Sequence, residues 1–223
     1  MMKKCILLLF FVSSVSLWGQ NANSFRYSWG VISEIEVNRI HLLEESTYSS
    51  CFRPTASLGA FVQLPVSRHF SVEPQIKYNP IRSKVSDGQI GHRPFKMVSH
   101  MVEIPVQCRY NICSLNDYRL FCLVEPFIGY TIMAKAEGEL LPYPYEWAHD
   151  VGIAFTNDIV PKDHYNPFEY GVGMGIGIEG NKYKISLKYS QNLNSIGRDC
   201  KFRLFQVEDG FYQTVSLSIG YYL

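Results

Sequence analysis

Apolar and polar residues alternate with a period of two along most of this 223-residue chain. In FSVEPQIKY, Phe70, Val72, Pro74, Ile76 and Tyr78 fall on one side of an extended segment. Ser71, Glu73, Gln75 and Lys77 fall on the other, as side chains on a strand must. VEIPVQCRY repeats the scheme from Val102 to Tyr110, and YKISLKY repeats it from Tyr183 to Tyr189. The chain ends on TVSLSIGYYL, where Val215, Leu217, Ile219, Tyr221 and Leu223 share a face. Further segments of this kind begin near Phe25, Thr55, Tyr118 and Phe168, making eight in all.

One segment replaces its polar face with glycine. In EYGVGMGIGIEG, Gly171, Gly173, Gly175 and Gly177 line one side, and Tyr170, Val172, Met174, Ile176 and Ile178 line the other. A dinucleotide loop needs an x-x step between glycines and a helix behind it; neither is present. The pattern predicts a strand whose bare face makes room for bulky neighbours where a sheet curves tightly.

The connections alternate in length. PVSRH, CSLND and EGNK are short; the stretches 38–53, KVSDGQIGHRP, roughly 137–167 and NSIGRDCKFRLFQVED are long. Short turns at one end and long loops at the other predict an all-β fold, an eight-stranded antiparallel up-and-down transmembrane β-barrel. Both termini and the short turns are expected in the periplasm. Alternation alone also fits a soluble sandwich, but two features favour lipid outside. The polar face carries Glu73, Lys77, Glu103, Arg109, Glu125, Glu169, Lys184 and Lys188, a set expected to pair inside a filled lumen. Aromatic residues gather near strand ends, among them Phe25, Trp29, Tyr78, Tyr110, Phe168, Tyr189 and Tyr221, as an interfacial girdle requires.

Composition narrows this little. Net charge is +1 and mean hydropathy −0.05, so nothing points to nucleic acid. MMKKCILLLFFVSSVSLWGQ has two lysines, a short apolar run and small residues after it. Residues 1–19 are read as a signal peptide, and residues 20–223 as the outer-membrane barrel domain. Five cysteines follow the leader: Cys51, Cys108, Cys113, Cys122 and Cys200. None has metal-ligand spacing, and no cofactor or metal is expected. With a turn centred near Leu115, Cys108 and Cys122 would stand opposite each other on the apolar face. Cβ atoms there lie about 4.5–5.5 Å apart, so a strained disulfide and two free thiols both fit.

In their order, MVEIPVQCRY, FEYGVGMGIGIEGNKYKISLKYSQNLNSI and the closing VSLSIGYYL resemble the PorT-like outer-membrane β-barrel family of Bacteroidetes-type bacteria. The resemblance implies a small outer-membrane barrel and no particular reaction.

Candidate chemistry is sparse. His149–Asp150 and Asp163–His164 lie in the longest loop, where sequence adjacency does not make a site. Ser99 and His100 are consecutive on a strand and so face opposite sides. The same loop carries Tyr143, Tyr145, Trp147 and Phe155, residues suited to an interface or to a lid over the barrel mouth. The expectation is a monomeric outer-membrane barrel with no catalytic residue. Its role is structural or interaction-based, through extracellular loops. Its partners are outer-membrane lipid and an extracellular or envelope protein. The alternatives are a barrel enzyme acting on lipid or lipopolysaccharide, and a narrow pore.

Overall fold

The computed structural model describes residues 27–42, 48–87, 95–115, 117–137, 158–159, 166–194 and 210–223. Its strands are β1 (Ser28–Leu42), β2 (Tyr48–Cys51), β3 (Arg53–Pro65), β4 (Phe70–Asp87) and β5 (Phe95–Leu115). They continue as β6 (Tyr118–Glu137), β7 (Asp158–Ile159), β8 (Phe168–Glu179), β9 (Tyr183–Asn192) and β10 (Gly210–Tyr222). Sequential neighbours pair antiparallel, and β1 pairs with β10 to close the sheet. β2 and β3 form one wall, interrupted at Phe52, and β7 is a two-residue addition to the end of β6. The result is an eight-walled closed antiparallel barrel, as the alternation predicts.

The short turns lie at one rim with the chain's C-terminus. Between β3 and β4, Ser67 Oγ accepts from the Phe70 amide at 3.0 Å. Leu115 faces Tyr118 across the β5–β6 turn. The Gly180 amide reaches the Tyr183 carbonyl at 2.8 Å. Leu223 closes this rim by donating its amide to the Trp29 carbonyl at 3.0 Å.

The outer face is apolar through a band of constant height. On β4 it runs Phe70, Val72, Pro74, Ile76, Tyr78; on β5 it runs Val102, Ile104, Val106, Cys108, Tyr110. Five outward positions are eight residue steps, roughly 26 Å of strand and about 20 Å of height at a barrel tilt of about 40°. Ile76 is 56% exposed, Ile104 46% and Ile176 58%, which in water would be an exceptionally large apolar surface. Tyrosine and other aromatic side chains bound the band at both edges: Tyr110, Tyr118 and Tyr183 below, Tyr78, Tyr130, Phe168 and Tyr170 above.

The sequence reading ends two strands too low on one side: the alternation of FSVEPQIKY stops at Tyr78 and that of VEIPVQCRY starts at Val102, whereas β4 runs on to Asp87 and β5 starts at Phe95. β6 ends at Glu137, where the longest loop is expected to begin. Beyond the apolar band the facing rule no longer holds. Ile81, Met101 and Ala134 turn inward, whereas Arg82 and Lys135 lie on the outward side.

The glycine stripe of β8 faces bulky residues of β6. Gly171 is opposite Phe127, Gly175 opposite Leu123 and Gly177 opposite Phe121. A Cβ at Gly171 or Gly177 would collide with the phenyl ring facing it. The bare face is therefore the space that these rings occupy. The same complementarity recurs at Gly30, where an added Cβ would lie 2.7 Å from the Phe61 ring.

Candidate functional site

Alternation sends every second side chain of each wall into the lumen, and the lumen is filled. Among the described residues seven carboxylates are buried there: Glu34, Glu36, Glu73, Glu103, Glu125, Glu169 and Glu179. Four cations join them: Lys77, Arg109, Lys184 and Lys188. All eight charges expected to face inward do so. Glu34, Glu36 and Glu179 join them, and parity marks these three as well, since Glu34 and Glu36 alternate with Ile35 and Val37 in the sequence.

The charges are arranged in layers. Nearest the short turns, Arg109 is fully buried and donates to Glu73 at 3.0 Å and to Glu179 at 2.8 Å. Its guanidinium carbon lies 3.9 Å from the centre of the Phe121 ring, a cation–π contact in a dry setting. Lys184 pairs with the other oxygen of Glu73 and lies 3.3 Å from the centre of the Phe61 ring. Arg119, half exposed, caps Glu179 from the rim at 3.5 Å. One layer up, Lys77 lies 3.1 Å from Glu34 and 3.0 Å from Glu103. Lys188 lies 2.7 Å from Glu34 and 3.0 Å from Glu125. Gln107 donates to Glu125 at 2.5 Å.

Arg109 lies a layer below Glu103 and Glu125, which are served by Lys77 and Lys188. Some partners are neighbours in the sheet, as Lys77 and Glu103 are in register on β4 and β5, whereas others, such as Lys184 on β9 and Glu73 on β4, come from walls far apart, because side chains of this length span so narrow a lumen.

Above the ion pairs the bonding is neutral. Glu169 accepts from Asn192 at 2.6 Å and from Thr131 at 3.3 Å. Glu36 accepts from Ser57 at 2.9 Å. Its second oxygen and Asn79 Oδ1 have no hydrogen-bond partner. Both residues line a polar cavity of about 20 Å³, which is room for a water molecule and little else.

The catalytic candidates do not assemble among the described residues. Ser99 is buried inside the barrel, whereas His100 is on the outward face beside Tyr78. His149, Asp150, Asp163 and His164 lie outside the described residues, as do Tyr143, Tyr145, Trp147, Phe155 and residues 1–19. No group of three or more His, Cys, Asp or Glu side chains with metal-binding geometry occurs among the described residues.

The thiols of Cys108 and Cys122 are free. Cys108 faces Val124, and Cys122 faces Tyr110. The expected opposition fails because the turn is centred past Leu115, between Leu115 and Tyr118, and the strands slip by one residue between Asn111 and Cys113.

A closed sheet with an apolar exterior, aromatic edges and a charge-filled interior defines a small bacterial outer-membrane barrel. Residues 18–198, most of the chain, match the outer membrane protein beta-barrel domain family, and the chain belongs to that family. Among solved structures it is similar to neisserial surface protein A, at 8% identity and a TM-score of 0.47, over 89% of this chain and 99% of that one. It is also similar to the attachment invasion locus protein Ail of Yersinia pestis, at 11% identity and 0.41, over 88% and 98%. Outer membrane protein W of Escherichia coli aligns at 11% identity and 0.36, over 88% and 98%. With these scores below 0.5, the class rests on the family match and on the barrel itself. Curated proteins contain no sequence match.

Proposed function

We propose that this chain is a monomeric, non-conducting outer-membrane barrel whose role is structural or interaction-based, exerted by the long connections at the rim opposite the short turns. The observation that carries the reading is the plugged lumen. Lys77 and Lys188 brace Glu34, Glu103 and Glu125 across the barrel, and the cavity beside them is of the size of a water molecule. A plugged lumen leaves neither a path for ions nor a chamber for a substrate, so exposed function falls to the loops. Residues 1–19 direct export, the short turns and both termini face the periplasm, and the Tyr143, Tyr145, Trp147 and Phe155 loop is extracellular. Within the family, the quoted strand motifs favour a PorT-like member.

The enzyme reading would need a nucleophile and base together at the outer rim. The separation of Ser99 and His100 to opposite faces weighs against it among the described residues.

Two measurements test the proposal. In a background without the native cysteines, Trp147→Cys is expected to react with an impermeant maleimide on intact cells, and Asn181→Cys to be protected. The reverse pattern would invert the topology. In planar bilayers the purified protein is expected to show no steady single-channel current; a stable open level would replace this reading with the pore.

A further inference from the structure

The outer wall changes chemistry above the upper tyrosine edge, and the change is concentrated on β4, β5 and β6. Ile81, Ser99 and Ala134 point into the barrel, at 4%, 2% and 0% exposure. Their neighbours Arg82, Val98 and Lys135 therefore take the outward face. Arg82 pairs in register with Val98, and Val98 with Lys135. The two basic residues flank one valine in a single cross-strand row, about 10 Å apart at two strand spacings.

His100 sits on the same face, two residues below Val98 on β5, between Pro80 and Met133. Tyr78 Oη lies 2.5 Å from its Nδ1, and the rings stack at 22° with centres 6.0 Å apart. With the phenol as donor, the ring proton is held on Nε2, which is then a donor in turn. Below that edge the same strands present Ile76, Ile104 and Ile128 to the outside. The positive charges thus begin where the lipid-facing surface ends, which is the height of headgroups.

We propose that Arg82, Lys135 and His100 form a site on the outside of the barrel for the phosphate of a lipid headgroup in the surrounding leaflet. The guanidinium supplies a planar fork matched to phosphate oxygens, the ammonium a point charge, and the imidazole an oriented N–H. The site rests on the reading of this wall as membrane-inserted, and it extends that reading from a general hydrophobic contact to a specific anionic one.

The test uses the full mature chain in phosphatidylcholine nanodiscs doped with phosphatidic acid, with bound lipid measured by native mass spectrometry after release into detergent. The wild type is expected to retain phosphatidic acid over phosphatidylcholine. Arg82→Gln/Lys135→Gln is expected to lose about thirtyfold in that preference, since each basic group at an anionic surface contributes roughly fivefold. Arg82→Lys/Lys135→Arg is expected to keep it. Arg68→Gln/Lys182→Gln, at the other rim, is expected to change nothing. Tyr78→Phe is expected to shift the ring nitrogen resonances of His100 and weaken retention by a lesser factor. The heat-modifiable folded band on a gel should persist in every variant, so loss of the site and loss of the barrel are read separately. Equal retention by the wild type and the double glutamine variant would overturn the proposal. So would displacement of the lipid by inorganic phosphate at equal concentration, which would make the ligand a free anion.

Discussion

Glu34 and Glu36 are two residues apart on one strand and face the same way, yet their surroundings differ. Glu34 receives two ammonium groups; Glu36 receives one hydroxyl and leaves an oxygen unbonded. Removing a cation should therefore hurt more than removing the Glu36 charge. Lys188→Met takes one of two ammonium groups from Glu34 and the nearer one from Glu125, and is expected to cost about 3–5 kcal/mol. Glu36→Gln keeps the acceptor for Ser57 and is expected to cost under about 1 kcal/mol or to stabilise. Urea titration of the folded gel band in micelles ranks the two; the opposite order would mean that Lys188 is dispensable to the plug. Size is tested in the same way. Gly177→Val is expected to cost about 1–3 kcal/mol by overpacking against Phe121. Phe121→Leu in the same chain should recover part of that, and additive losses would show that the two do not share the space. Parity in the sequence reveals which residues enter the lumen. It does not reveal partners, because a side chain's height and azimuth in a barrel depend on the stagger of all the walls: nothing in the sequence says that Arg109 meets Glu73 and Glu179.

Strands were legible in proportion to how different their two surroundings are. Through the lipid band one face is apolar and the other charged, so β9 and β10 can be read almost to their ends. Above it both faces meet polar surroundings, and the upper parts of β4 and β5 look like loop. Facing has a direct consequence for substitution. Ile176→Arg, near the middle of the band, is expected to cost roughly 2–4 kcal/mol, and Val98→Arg at the rim roughly 0–1 kcal/mol. Equal yields of folded protein on dilution into lipid vesicles would contradict the assignment of the two heights. Register was the least legible property, since a turn displaced by one or two residues leaves the alternation of each strand intact. The thiols follow from that register. In unreduced protein extracted from membranes, Cys108 and Cys122 are both expected to take up an alkylating reagent, read as a mass increment on each peptide; a mass showing them linked would refute the pairing of Cys108 with Val124.

At the scale of the molecule, fold class and lumen lining were readable, whereas the loops that would carry a specific partner were readable only as composition, since aromatic residues do not declare what they touch. The cross-braced interior has one further consequence, and it concerns time. Glu34 comes from β1 and Lys188 from β9, on either side of β10, so the brace between them exists only once β1 has met β10. An arc of sheet on its way into the membrane must keep these charges hydrated, and the expulsion of that water can only follow closure. Closure then acts as a latch: the step that dries the interior also removes the path back. The protein is expected to show hysteresis, with folding and unfolding midpoints in urea that stay apart on slow equilibration. Lys188→Met should bring the two curves together, and curves that already coincide in the wild type would mean that the charges find their partners before the seam is shut.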